Sequence, residues 1–179
     1  MRSLTALILG FFLDLLIGDP HSIPHPVVLI GKLIGVAEKA MRALFPKTPW
    51  GEKLAGGAVW LIVVSLSTAV PWILLHFANG VSPWLGLALE TVMCAQILAT
   101  KSLRQESMQV FEALKTGDLS QARYAVSRIV GRDTVRLDEA GVTRAAVETV
   151  AENTSDGVIA PMLYLAIGGA PLGFFYKAV

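Results

Sequence analysis

The sequence is poor in cysteine and in charged residues. Cys94 is the only cysteine among 179 residues, so the chain has no disulfide framework and no thiolate metal site is expected. Charged residues make up 16% of the chain and hydrophobic residues 54%, whereas about 25% charged is usual in soluble proteins. The formal net charge is +1, which argues against a nucleic-acid partner because such a partner normally requires a basic face. This composition favours a membrane protein.

One long stretch of the chain is almost free of charge. Between residues 54 and 100 the only charged residue is Glu90, and the mean hydropathy of the whole chain is +0.59. The segment Leu54 to Ala78 is long enough to span a bilayer, since about 20 apolar residues suffice. After an Asn79-Gly80 break, the segment Val81 to Thr100 is long enough to return. We therefore predict a transmembrane helical hairpin, with a buried hairpin in a soluble protein as the alternative.

Two shorter segments precede this hairpin. Residues 4–17 are predicted to form an uncleaved first membrane helix, because Asp14 interrupts the apolar run and no small-residue cleavage site follows. A carboxylate is costly in lipid, so Asp14 should either face other helices or reach the interface. Residues 18–53 are predicted to form a cytoplasmic loop and an interfacial amphipathic helix.

The basic residues predict the orientation in the membrane. Of the 15 lysines and arginines, five lie in residues 18–53 and eight in residues 101–144, and the Asn79-Gly80 turn has none. The positive-inside rule therefore predicts that both polar stretches are cytoplasmic.

Residues 101–157 have the spacing of amphipathic helices and are predicted to form a cytoplasmic helical layer. Gly117-Asp118 should separate the first two helices, with Asp118 or Ser120 as the N-cap of the second, and Asp138 should cap the third. Residues 158–179 begin a further apolar segment. The predicted fold class is all-α: a polytopic integral membrane protein in which residues 1–179 form a single membrane-embedded domain.

A dense window of ionisable residues, GRDTVRLDEAGVTRAAVETVAENTSDGVIAP, extends from Gly131 to Pro161. Glu148 and Glu152 share one helical face in this window, because they lie four positions apart. Together with Asn153 and Asp156 they supply hard oxygen ligands suited to Mg²⁺, which usually binds through one or two carboxylates plus substrate phosphates. The alternative is a solvated helix and its C-terminal turn.

A second informative stretch is GDPHSIPHP, residues 18–26. Its three prolines favour an extended, preset loop. Asp19, His21 and His25 are candidate substrate contacts in this loop, and a plain connector with solvated histidines is the alternative. A zinc site is not predicted, since the ligand geometry is unsupported and no cysteine is nearby.

Four stretches, in order along the chain, resemble one protein family. They are DLLIGDPHSIPHPVVLIGKLI, GRDTVRLD, AENTSDGVIAPMLY and GGAPLGFFYKAV. They are similar to the adenosylcobinamide-phosphate synthase family of cobalamin biosynthesis, the CobD/CbiB family. The resemblance covers the chain from one end to the other, and AENTSDG is its most distinctive part. Members of that family extend well past Val179, so the chain is expected to be truncated within a hydrophobic segment, and such a fragment can be inactive alone.

The resemblance implies an ATP-dependent amide-forming ligase in the inner membrane. It would join the free propionate of adenosylcobyric acid, a corrinoid, to aminopropanol or its O-phosphate, giving adenosylcobinamide or its phosphate. ATP and Mg²⁺ are the implied co-substrate and metal, and other cobalamin-pathway enzymes are further expected partners besides the lipid bilayer. The alternative is a non-catalytic transporter or sensor-like protein with the same fold, although a transporter should place its ionisable residues near the midplane.

Residue roles follow from this implied reaction. Phosphoryl transfer depends on positioning and on charge neutralisation. Arg132 and Arg136 are therefore predicted to hold phosphate oxygens. The predicted catalytic residues and Mg²⁺ ligands are Glu148, Glu152 and Asp156. The other predicted substrate-binding residues are Asp19, His21, His25, Asp133 and Asn153.

Overall fold

A computed structural model of the chain describes residues 2–18 and 25–179. Within these ranges the regular structure is entirely helical, which confirms the all-α prediction. The helices are α1 (Arg2–Ile17), α2 (Pro26–Leu44), α3 (Pro49–Val81), α4 (Pro83–Ile97), α5 (Thr100–Lys115), α6 (Leu119–Ser127), α7 (Glu139–Thr154) and α8 (Ala160–Ala178), with a π-helical turn at Ser155–Ile159.

In the part of the chain that the structure describes, three helical stretches are long and apolar enough to cross a membrane, as judged by length and composition: Pro49–Val81, Pro83–Lys115 and Glu139–Ala178. Large apolar side chains also face outward, including Leu61 (60% exposed) and Phe77 (69% exposed) on α3. A soluble monomer rarely exposes apolar patches of this extent. Length and surface together agree with the prediction of a membrane protein.

The turn between α3 and α4 lies slightly later than predicted. Helix α3 continues through Asn79 and Gly80 and ends at Val81, so the predicted break at Asn79-Gly80 is wrong. The physical reason is the Ser82-Pro83 pair: proline fits the first turn of a helix, and the Ser82 hydroxyl accepts a hydrogen bond from the Trp84 N–H at 3.2 Å.

The membrane-type helices share one apolar core. Helix α1 lies directly against α4, where a Cβ atom at Gly10 would come within 2.6 Å of Cys94 Cβ. Asp14 of α1 is 1% exposed, so it faces other helices rather than the interface. The side chains of this core include Ala6, Leu7, Val63, Cys94, Ile97, Leu98, Leu165 and Phe174.

Helices α5, α6 and α7 pack around a second, smaller core. Its buried side chains are Val110, Ala113, Ala122, Ala125, Val126, Val142 and Ala145. Both predicted caps are confirmed. Gly117 has φ of 75° after α5, Asp118 accepts a hydrogen bond from the Gln121 N–H at 2.9 Å, and Asp138 accepts one from the Gly141 N–H at 2.8 Å.

Candidate functional site

The two cores meet at the break between α4 and α5, residues 98–101, which we call the α4–α5 junction. A new helix leaves its first N–H groups without intrahelical partners. Here the Ala99 N–H donates to the Gly157 carbonyl at 3.2 Å, and the Thr100 N–H donates to Asp14 Oδ2 at 2.8 Å. The start of α5 is thus capped by α1 and by the π-helical turn.

The π-helical turn, Ser155–Ile159, begins inside the AENTSDG stretch, residues 151–157. The Ala160 N–H donates to the Ser155 carbonyl, five residues earlier, in place of the usual four-residue spacing. Such turns are rare and frequently occur at functional sites. Gly157 is buried, and its carbonyl bond to the α4–α5 junction fixes the turn relative to the apolar core.

The loop between α6 and α7 places Arg132 over α7. Two hydrogen bonds hold this loop against α6. Thr134 Oγ1 donates to the Arg123 carbonyl at 3.1 Å, and Arg123 Nε donates to the Leu137 carbonyl at 2.6 Å. Thr134 is only 4% exposed. With the loop held in this way, Arg132 Nη2 donates to Glu148 Oε2 at 2.7 Å.

Arg132 and Glu148 border an open cleft of about 430 Å³, which we call the α7 cleft. Glu152 and Asn153 line the same cleft, as the four-residue spacing on α7 requires. The Asn153 Nδ2 group donates to the Thr149 carbonyl at 3.0 Å. The residues that line the α7 cleft are Ile129, Val130, Gly131, Arg132, Glu148, Thr149, Glu152 and Asn153.

Within the α7 cleft, the two carboxylates differ in their surroundings. Glu148 is ion-paired with Arg132, whose side chain is 52% exposed against 55% for Glu148. Glu152 has no ion-pair partner in the part of the chain that the structure describes. Glu152 is therefore the carboxylate that remains available to a ligand or a proton.

The remaining predicted site residues lie elsewhere. Asp156 is exposed in the π-helical turn and does not line the α7 cleft. Asp133 accepts a hydrogen bond from the Val135 N–H at 3.0 Å and so shapes its own loop, in which Arg136 is exposed. His25 caps α2 by accepting from the Val27 N–H at 3.3 Å. The predicted contacts Asp19 and His21 lie outside the described residues.

The donor set of the α7 cleft suits a magnesium ion only in part. Across residues 2–18 and 25–179, no three His, Cys, Asp or Glu side chains are grouped closely enough to hold a metal ion. Mg²⁺ usually binds through one or two carboxylates plus substrate phosphates. Glu148 and Glu152 fit that pattern, whereas Asp156 does not join them.

Comparison with known proteins identifies the family. Residues 7–179 match the sequence profile of the CobD/Cbib protein family. The chain belongs to the CobD/CbiB family. It is 45% identical over 177 residues to the cobalamin biosynthesis protein CobD of Klebsiella pneumoniae, covering 99% of this chain and 55% of that protein. It is 50% identical over 167 residues to CobD of Geobacter metallireducens, covering 93% of this chain and 51% of that protein.

The same pattern holds for a third relative. CbiB of Salmonella typhimurium is 43% identical over 174 residues, covering 96% of this chain and 53% of that protein. The chain thus spans about half the length of the curated CobD/CbiB relatives it matches. No solved structure matches the chain.

The sequence does not reveal the partner of Asp14 or the two groups that hold the Arg132 loop in this CobD/CbiB chain. Asp14 was singled out for its charge, but its partner Thr100 lies 86 residues away and no local signal marks it. Arg123 and Thr134 were not recognised as the pair that holds the Arg132 loop. Thr134 lies within the GRDTVRLD stretch, where a small polar residue between charged ones was the only available signal.

Proposed function

We propose that the protein containing this chain is an ATP-dependent amide-forming ligase of cobalamin biosynthesis. The reaction joins the free propionate of adenosylcobyric acid to aminopropanol or to its O-phosphate. Membership of the CobD/CbiB family supports this proposal, since the matched relatives are named cobalamin biosynthesis proteins. The observation that carries it is the α7 cleft, where an arginine and two carboxylates converge beside the AENTSDG turn.

A carboxylate and an amine do not condense in water unless the carboxylate is activated. In the proposed reaction a propionate oxygen attacks the γ-phosphorus of ATP, the bond to the bridging oxygen breaks, and ADP leaves. The amine nitrogen then attacks the acyl carbon, phosphate departs with the C–O bond electrons, and one proton leaves the nitrogen. The products are the amide, ADP and phosphate.

The residues of the α7 cleft suit these two steps. The Arg132 guanidinium matches phosphate oxygens with its paired N–H groups, and Glu148 holds it in place. Glu152 is the proposed acceptor of the amine proton, because a general base needs a carboxylate within reach of the reacting group. A bound Mg²⁺ would be held by Glu148 together with the substrate phosphates and would supply charge neutralisation for them, which leaves Glu152 to accept the proton.

The proposed location is the inner membrane, with the α7 cleft on the cytoplasmic side. Thirteen of the 15 basic residues lie in the two polar stretches, residues 18–53 and 101–144, and basic loops remain cytoplasmic. Cytoplasmic ATP would then reach the cleft directly. Association with other cobalamin-pathway enzymes is part of the same proposal.

The direct test is the reaction of the purified full-length protein in detergent or proteoliposomes. With adenosylcobyric acid, ATP, Mg²⁺ and either amine, we expect the amide product by mass spectrometry and one ADP per amide. Glu152→Gln should reduce the rate by about 100-fold, the size of a general-base contribution. Glu112→Gln, an exposed carboxylate on α5, is the matched control. If the folded protein bound corrinoid but made no amide, a transporter or sensor would replace the ligase.

A further inference from the structure

Helix α8 is not one straight helix. Gly168 and Gly169 have non-helical backbone angles, with φ of 64° and ψ of −162° at Gly169. The ring of Tyr164 lies 4.9 Å from that of Tyr176. Twelve residues of continuous helix would separate these rings by about 18 Å along the axis. The two halves of α8, residues 160–167 and 170–178, therefore lie side by side.

Other contacts follow the same antiparallel order. A Cβ atom at Gly173 would come within 2.6 Å of Leu165 Cδ2. Closer to the open end, Lys177 Nζ lies 3.5 Å from the Asp156 carbonyl oxygen. The Gly173–Leu165 contact is close to the Gly168-Gly169 turn, and the Lys177–Asp156 contact is far from it. Two antiparallel limbs joined at that turn would make contacts in this order. We call this unit the α8 hairpin.

Helix α4 shows how far the α8 hairpin extends into the apolar core. Gly157 bonds to Ala99 in the α4–α5 junction, Gly173 lies against Ile97 at the end of α4, and Gly169 lies against Glu90, near the middle of α4. Each limb contains eight or nine residues and is about 13 Å long. That length is less than half of a hydrocarbon core about 30 Å thick.

The tip of the α8 hairpin is suited to a buried turn. A positive φ at Gly169 is readily adopted only by glycine, and any Cβ atom there would collide with Glu90 Oε1. Non-helical backbone at membrane depth is tolerated where protein surrounds it. On the side of the turn that faces α4, Gly169 is buried and Ala170 is 0% exposed, whereas Gly168 and Ile167 on its other side are exposed. The segment is thus long and apolar enough to span by composition, but it turns back before it could cross.

We propose that residues 160–178 form a re-entrant hairpin, entering and leaving the membrane on the same face, and that it returns Lys177 to the AENTSDG turn to bind an anionic group of the substrate. The second part rests on the proposed function. The antiparallel contacts and the depth along α4 support the hairpin, and the position of the Lys177 ammonium beside Asp156 supports the binding role. An ammonium group at this place is a point charge suited to a phosphate or a carboxylate.

The topology is tested by sided cysteine labelling of the full-length protein. Cys94 is buried and is first replaced as Cys94→Ala. Ser155→Cys and Lys177→Cys are then exposed to a membrane-impermeant maleimide, in spheroplasts and in inverted vesicles, with Trp84→Cys as the marker for the opposite face. We expect both to label from one face and Trp84→Cys from the other. Labelling of Ser155→Cys and Lys177→Cys from opposite faces would overturn the hairpin.

The binding role is tested by kinetics with each substrate varied in turn. Lys177→Met should raise KM by about tenfold or more for one substrate, with a smaller effect on kcat. Lys177→Arg keeps the positive charge and should return that KM most of the way to the parent value. Lys115→Met, an exposed lysine on α5, is the control. The substrate whose KM rises, whether ATP, aminopropanol phosphate or the corrinoid, is the one that carries the bound anionic group. Unchanged KM values for all three would overturn the binding role.

The two proposals fail in different ways. If the parent protein makes no amide, the proposed ligase function fails, while the labelling result still decides the hairpin. Equilibrium dialysis of ATP, aminopropanol phosphate and adenosylcobyric acid against the parent and Lys177→Met then decides the binding role without any turnover. Equal affinities in the two proteins for every one of these probes would contradict it.

Discussion

Asp14 and Lys101 cap each other's helices across the α4–α5 junction. Asp14 Oδ2 accepts from the Thr100 N–H at the start of α5, and Lys101 Nζ donates to the Leu16 and Ile17 carbonyls at the end of α1, at 2.6 and 3.1 Å. A negative group at a helix start and a positive group at a helix end both match the helix dipole. These contacts fix α1, which precedes the GDPHSIPHP stretch in the sequence, against α5.

Asp14→Ala should lower the free energy of unfolding by about 1.5–3 kcal/mol, because it removes a buried hydrogen bond to a charged group. Asp14→Asn should cost less, since its side-chain oxygen can still accept from Thr100. The measurement is thermal unfolding of the full-length protein in detergent. Glu38→Ala, which removes an exposed carboxylate paired with Arg42 on α2, is the control and should change stability little. Equal effects of Asp14→Ala and Glu38→Ala would contradict the capping role.

Gly169→Ala should destabilise the protein by about 1–3 kcal/mol, because alanine is strained at a positive φ and its Cβ would meet Glu90. Gly35→Ala is the matched control: it lies within α2, and no atom would come within 4 Å of its Cβ. That change should be neutral or stabilising by up to about 1 kcal/mol. Chemical denaturation of both variants is the measurement, and a stable Gly169→Ala protein would argue against the tight turn.

Arg132→Ala should affect activity far more than stability. The Arg132–Glu148 pair is about half exposed on both sides, and exposed pairs contribute about 0–1 kcal/mol. Loss of a phosphate-binding guanidinium should instead reduce kcat/KM by about tenfold to a hundredfold. Arg144→Ala, an exposed arginine on α7 that does not line the α7 cleft, is the control.

A double-mutant cycle of Arg132→Ala with Glu148→Gln separates the two residues further. If Glu148 acts by holding Arg132, the double variant should be no worse than Arg132→Ala in kcat/KM. Fully additive losses would instead mean that Glu148 contacts the substrate or the metal by itself. An unchanged kcat/KM in Arg132→Ala would remove the α7 cleft from phosphate binding.

The local signals in the sequence were sufficient for the helix caps. The sequence predicts Asp118 or Ser120 as the N-cap of α6 and Asp138 as the N-cap of α7, because short polar side chains are preferred there. In the structure, Asp118 and Asp138 each accept from the N–H three residues on. The face shared by Glu148 and Glu152 follows from helical periodicity in the same way. Their common cleft with Asn153 was therefore within reach of the sequence.

Long-range relationships were not predictable from the sequence. The Asp14–Thr100 bond joins residues 86 positions apart, and no periodicity encodes such a partner. The GGAP stretch was read as part of a continuous apolar segment, because hydropathy does not report that Gly169 takes a positive φ. The sequence groups Asp156 with Glu148 and Glu152 because it follows them in the same polar run, but the π-helical turn changes the helical register at Asp156.

Complementation tests whether the α7 cleft carries out the ligase chemistry. A strain lacking the adenosylcobinamide-phosphate synthase is fed cobyric acid and supplied with the full-length parent, Glu152→Gln or Glu112→Gln, at matched membrane abundance. We predict cobalamin-dependent growth with the parent and with Glu112→Gln, and no growth with Glu152→Gln. Equal growth of Glu152→Gln and the parent would contradict a catalytic role of the α7 cleft.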